Sequence, residues 1–112
     1  MIHKLLFLEK DRNTFKLIQS GKKNIETRAG NPEYFFIKAG DYIEFSCGDE
    51  KVVRKVRNIL HYTTLNDLFA AYKPQEINPE VFSYEELRER YVSFPGYHDR
   101  LDRYGVLVFE LE

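Results

Sequence analysis

The densest group of chemically capable side chains in the sequence is the run GKKNIETR, which begins at Gly21. It holds three cations and one carboxylate: Lys22, Lys23, Arg28 and Glu26. A guanidinium binds planar anions through two parallel hydrogen bonds, and an ammonium binds them as a point charge. The carboxylate of Glu26 could accept from the amino group of a base or hold Arg28 in place. The run therefore indicates either a site for an anionic or nucleotide ligand or a solvated ion pair at a strand end.

The faces that these side chains share depend on how regular the strand is. If residues 22–28 alternate regularly, Lys23 and Thr27 point away from the face that carries Glu26. Lys23 directly follows Gly21, however, which lies where a helix C-terminus favours a left-handed residue. A local twist after that glycine could bring Lys23 beside Glu26.

Two further groups of residues could extend such a site. Arg54, Lys55 and Arg57 form a second basic group, either a track for a nucleic-acid backbone or a solvated strand face. Aromatic rings could provide a stacking surface for a base, or pack in the core. The candidates for that role are Tyr34, Phe35, Phe36, Tyr91, Tyr97 and Tyr104.

Composition excludes several classes of function. The 112 residues carry a formal net charge of -1, so any binding of nucleic acid must come from a local patch. The single cysteine excludes an internal disulfide or a multi-cysteine zinc site, and the three histidines lack metal-ligand spacing. We therefore expect no metal and no cofactor. No hydrophobic run reaches the length of a membrane span, and we expect one cytoplasmic domain over residues 1–112 that does not bind membranes.

The hydrophobic pattern predicts the order β-α-β-β-β-α-α-β. The first strand, HKLLFLE, is apolar on both faces and is expected in the centre of the sheet. A turn at residues 48–50 leads into the long strand KVVRKVRNILHY, where a change of phase predicts a bulge near Arg57. Residues 73–82 are predicted to form a loop. The order favours an α+β fold in which helices pack over a small, mixed, partly closed barrel.

The run GKKNIETR resembles the G-x-K-x-x-E-x-R signature of the ASCH domain, a member of the PUA-like superfamily. The preceding helix with Phe15 and Ile18, the segment AGDYIEF and the terminal YGVLVFELE also match that family in order and spacing. The resemblance spans nearly the whole chain. It implies a PUA-like mixed β-barrel of five to six strands with flanking helices, and a cleft for RNA or a nucleotide. The candidate ligand-binding residues are Gly21, Lys22, Lys23, Glu26, Arg28 and Arg54.

The same resemblance implies an alternative. Some small members resemble amidohydrolases that remove an acetyl group from a modified cytidine nucleoside, using a Lys that matches Lys23. Their Thr nucleophile lies three residues later, where this chain has Glu26, so water would be the nucleophile here. Glu26 or Glu76 would activate that water, and Lys23 would act as general base or oxyanion partner. The third member, a Glu from the loop after the middle helix, corresponds to Glu76 or Glu80. A further alternative is a protein-interaction domain that has lost its ligand; binding of RNA or a nucleotide is the leading prediction, and the oligomeric state stays open.

Overall fold

A five-stranded mixed sheet forms the framework of residues 2–112, which are the residues that the computed structural model describes. Its strands run in the order β1-β3-β4-β5-β2. β1 is parallel to β3, and the other neighbours are antiparallel. The strands are β1 (Ile2–Phe7), β2 (Ile25–Ala29), β3 (Tyr42–Cys47), β4 (Glu50–Tyr62) and β5 (Val106–Leu111). The predicted α+β fold is confirmed, and within these residues the sheet stays open between its edge strands β1 and β2.

Helices connect the strands and cover the sheet. They are α1 (Arg12–Gln19), α2 (Leu65–Ala71), α3 (Pro74–Ile77), α4 (Tyr84–Ser93) and α5 (Tyr97–Tyr104). The short helix α3 lies in the stretch that was predicted to be a loop, and α5 was not predicted. None of the described helices is both long enough and apolar enough to cross a membrane.

Two hydrophobic clusters lie on opposite faces of the sheet. The first packs α1 against the face that carries Leu107 and Phe109, and the second packs α2 and α4 against the face that carries Val106 and Val108. β5 is therefore buried on both sides, which explains its uninterrupted apolar sequence. Each such side chain contributes about 1.5–3 kcal/mol when it is fully buried.

The prediction that β1 is central is wrong. β1 pairs with β3 alone, and Ile2 and Leu6 are exposed while Leu5 and Phe7 are buried. Apolar residues on both faces of a segment do not by themselves distinguish a covered strand from an edge strand. The free side of β1 faces the opening towards β2.

The predicted bulge near Arg57 is confirmed. The pairing of β4 with β5 shifts register between Val56 and Asn58. The first half of β4 pairs with β3 and the second half with β5, so the bulge falls where the strand passes from one partner to the other. A bulge bends and twists its strand, which curls the sheet and brings its two edges towards each other.

Candidate functional site

A cavity of about 500 Å³ occupies the opening between β1 and β2 and is covered by α4. We call it the edge cavity. Among residues 2–112 the buried polar and charged side chains are those of Lys23, Glu26, Thr27 and Asn78. All of them line the edge cavity. Burying polar groups costs free energy unless they find partners, so their concentration at one cavity singles it out as a candidate site.

The turn after α1 places Lys23. Gly21 adopts a φ of 81° there, which favours glycine, and the backbone N–H of Lys23 donates to the Leu17 carbonyl at 2.9 Å. Lys23 therefore lies before β2, and its side chain does not follow the alternation of side chains along that strand. Its side chain is 3% exposed, and its Nζ donates to the Ile25 carbonyl and, at 3.2 Å, to Glu26 Oε1.

The carboxylate of Glu26 is saturated with donors. Oε1 accepts from Lys23 Nζ and, at 3.0 Å, from the backbone N–H of Thr27. Oε2 accepts from Nε and Nη2 of Arg28, both at 3.2 Å. These donors occupy the roughly four lone-pair sites that a carboxylate has. Of the two roles that the sequence offered for Glu26, the geometry fits the one that holds Arg28 in place.

The two cations keep Glu26 ionised although it is 4% exposed. Burial by itself would raise the pKa of Glu26, but the charges of Lys23 and Arg28 outweigh burial and lower it. Burial likewise opposes the charge on Arg28, and the Glu26 carboxylate reverses this and raises the pKa of Arg28. The three groups therefore form one charged unit with a net positive charge.

Arg28 extends across the opening between the two edge strands. Its Nη2 lies 3.4 Å from the Leu6 carbonyl of β1, and its guanidinium carbon lies 4.9 Å from the centre of the Phe7 ring. The Leu6 carbonyl, the Phe7 ring and the Glu26 carboxylate together hold the guanidinium against the cavity wall. The side chain is part of the site and also a bridge between β1 and β2.

Thr27 lines the cavity although it alternates with Glu26 along β2. Its hydroxyl forms a hydrogen bond with the hydroxyl of Tyr91 from α4. Because β2 is an edge strand, a cavity at its free side reaches side chains from both faces. Burial raises the pKa of Tyr91, which keeps its hydroxyl protonated.

Sequence reasoning missed Asn78, which follows α3. It is 9% exposed, and its Oδ1 accepts from the backbone N–H of Glu80 at 3.0 Å. An Asn before a Pro is typical of a turn, and no signal in the sequence places this turn beside β2.

Three predicted ligand-binding residues do not line the edge cavity. Gly21 ends α1 and faces open space, and Lys22 is exposed. Arg54 donates to the carbonyls of Ile18 and Glu112 at 2.7 and 2.8 Å, so it ties α1 to the end of the chain.

The candidate catalytic residue Glu76 does not line the cavity either, because its side chain accepts from the backbone N–H of Lys73 at the start of α3. Glu80 is exposed and contributes only its backbone N–H, which Asn78 accepts. Of the candidate aromatic residues, Tyr91 and Tyr97 line the cavity, and Tyr34, Phe35, Phe36 and Tyr104 do not. Within residues 2–112, no group of three or more His, Cys, Asp or Glu side chains is arranged to hold a metal ion.

No protein-family model matches the chain, and no curated protein matches it. Two solved structures resemble it over its full length. The crystal structure of hypothetical protein PH0355 has a TM-score of 0.83 and 31% sequence identity, and the alignment covers 100% of this chain and 98% of that one. The solution NMR structure of protein PF0455 from Pyrococcus furiosus has a TM-score of 0.76 and 28% identity, covering 100% of this chain and 96% of that one. The chain therefore belongs to the same protein family as hypothetical protein PH0355.

Proposed function

We propose that the protein binds a nucleotide or nucleoside unit in the edge cavity, either free or as an unpaired residue of RNA. The observation that carries the proposal is the convergence of the buried polar side chains of residues 2–112 on this one cavity. The resemblance of residues 21–28 to the ASCH signature points to the same ligand class, and membership of that family is part of the proposal.

The size and charge of the cavity fit such a ligand. A volume of about 500 Å³ lies within the range of about 300–1,000 Å³ typical of small-molecule sites. The charged groups of the lining are four cations and two carboxylates, an excess of two positive charges that favours a phosphate. They are Lys10, Lys23, Arg28, Arg90, Asp11 and Glu26.

Aromatic rings at one side of the cavity fit the base. Phe94 and Tyr97 flank the glycine between α4 and α5, and both line the cavity with their ring centroids 4.9 Å apart. A base can stack on such a ring whatever its identity, for about 1–3 kcal/mol. The same wall would be poorly suited to a small inorganic anion alone.

The geometry favours binding over hydrolysis. Of the two carboxylates that the sequence offered for activating water in place of a Thr at position 26, Glu26 has no lone pair left for it. Glu76 does not line the cavity. Incubation with acetylated cytidine, followed by chromatography, tests this alternative directly; release of cytidine would contradict the binding-only proposal.

Titration calorimetry with nucleoside monophosphates and with short single-stranded RNAs tests the proposal. Arg28→Gln removes a charge-assisted donor from the cavity and is expected to weaken binding at least about tenfold. Arg103→Gln is the matched control, because Arg103 lies outside the cavity and pairs with Asp99 on the exposed side of α5, and it should leave affinity unchanged. Circular dichroism verifies that both variants fold.

The outcomes separate the alternatives. Tighter binding of RNA than of its monomers indicates an RNA site, and equal binding indicates a free nucleotide. Affinity should fall only shallowly with salt, because few phosphates are contacted. If no nucleotide or RNA binds, or if both variants weaken binding equally, the proposal is wrong and a protein-interaction role becomes the better explanation.

A further inference from the structure

The side-chain amide of Asn78 has a hydrogen-bond partner for its oxygen and none for its nitrogen. Its Oδ1 accepts from the backbone N–H of Glu80, which sets the orientation of the amide group. Among residues 2–112 no group accepts from its Nδ2. Every solvent-shielded side-chain nitrogen or oxygen of these residues has a partner, so the unpaired Nδ2 is accessible to solvent, and Asn78 lines the edge cavity. A side chain that lines the edge cavity and is only 9% exposed therefore keeps one accessible donor without a protein partner.

The charged groups around the cavity present donors as well. Lys23 spends one N–H on the Ile25 carbonyl and one on Glu26, and one further N–H remains. Arg28 has a further N–H on Nη1, beyond its long contact of 3.5 Å with the Leu6 carbonyl. Arg90 and Lys10 of the lining are also donors only.

The carboxylate acceptors of the lining, by contrast, are either fully hydrogen-bonded to protein donors or exposed to water. The four donors on Glu26 leave it no capacity for a ligand. Asp11, the other carboxylate of the lining, is only half-buried at the start of α1, so water competes for it. The hydroxyls of the lining can donate or accept and do not discriminate; they belong to Thr14, Thr27, Tyr91, Ser93 and Tyr97.

We propose that the edge cavity selects a base with a carbonyl group over one with an amino group at the same position, and that the Asn78 amide reads this position. The inference rests on the proposed function and adds the ligand class: a pyrimidine with a carbonyl group at C4, such as uracil, in preference to cytosine, which has an amino group there. An exocyclic amino group placed against the Asn78 Nδ2 would leave both donors unpaired, which is costly in a water-poor site.

The test compares UMP with CMP by titration calorimetry on the full chain; the two differ at C4, which carries an oxygen or an amino group, and at N3, which is a donor in uracil and an acceptor in cytosine. We expect the wild type to bind UMP at least about tenfold more tightly than CMP. Asn78→Asp replaces the free donor by an acceptor and keeps the oxygen that accepts from Glu80. It should lower the ratio of the two affinities at least about tenfold, and the ratio cancels any general effect of the added charge on the phosphate.

Asn31→Asp is the matched control, because Asn31 accepts from the backbone N–H of Glu33 in the same way and lies outside the edge cavity. The control should keep the wild-type ratio. Equal affinity of the wild type for UMP and CMP would overturn the inference while leaving the proposed function intact, and this decides the matter even if Asn78→Asp does not fold. Absence of binding to both, and to RNA, would overturn the proposed function itself.

Discussion

The tripeptide Asn-Pro-Glu occurs twice in this chain, at residues 31–33 and 78–80, with the same local structure in both places. In each copy the Asn Oδ1 accepts from the backbone N–H of the Glu at 3.0 Å. The first copy starts the 3₁₀ turn Pro32–Phe36 outside the edge cavity, whereas in the second copy Asn78 is buried and lines the edge cavity. Identical local chemistry therefore makes a simple turn in one region and a candidate recognition group in the other.

Carboxylates show the same contrast between the two regions. Glu26 contacts Lys23 and Arg28 in the edge cavity, and Glu50 contacts Arg12 and Lys16 on the surface. Glu26 is shielded from water, whereas the side chain of Glu50 is 40% exposed. Burial, more than the identity of the partners, should decide what each carboxylate contributes.

The largest expected effect is on stability when Glu26 loses its charge. Glu26→Gln leaves two buried cations uncompensated and should lower the free energy of unfolding by about 3–5 kcal/mol. Glu50→Gln, on the surface, should cost at most about 1 kcal/mol. Urea unfolding of both variants measures this, and equal losses would show that the burial of the two carboxylates does not matter.

The second expected effect is the pH dependence of the stability that Glu26 contributes. Because the pKa of Glu26 is lowered in the folded protein from its usual value of 4.5, its stabilising effect is present above that pH. This stabilisation is lost as the pH falls from 4.5 to below the lowered pKa that Glu26 has in the folded protein. The difference in unfolding free energy between the wild type and Glu26→Gln should therefore shrink in acid. A difference that stays constant from neutral pH to the acid limit of folding would contradict this assignment.

The smallest expected effect is the local one at the two asparagines. Asn31→Ala and Asn78→Ala each remove one turn hydrogen bond and should each cost about 1 kcal/mol. Only Asn78→Ala should also weaken the binding of UMP. Thermal unfolding with and without UMP compares the two variants, and a loss of UMP binding in Asn31→Ala would remove the contrast between the two copies.

Local signals predicted much of the fold. The left-handed conformation of Gly21 was predicted from its place directly after a helix. The bulge at Arg57 was predicted from the change of phase of the apolar residues along β4. The helices α3 and α5 were missed. In α5 polar and charged residues predominate; Tyr97, Leu101 and Tyr104 do recur at helical spacing, but a helix of eight residues is marginal without tertiary packing.

The candidate site was predicted in part. The run at residues 21–28 pointed to Lys23, Glu26 and Arg28, because their types and spacing suit an anion and they resemble a known signature. The same reasoning included Arg54, whose guanidinium ties backbone carbonyls together, and it omitted Asn78. A charged residue near a signature in the sequence need not be near it in space.

By itself the sequence determined the elements, the turns and the charged run, since these depend on periodicity, glycine conformation and side-chain type over a few residues. Only the tertiary structure decided that β1 and β2 are edges, that a cavity opens between them, and which of two identical tripeptides borders it. The physical reason is that burial is a property of packing between distant segments. Burial distinguishes the ion pairs of Glu26 from those of Glu50, and the amide of Asn78 from that of Asn31, and it makes the buried groups the candidates for binding a ligand.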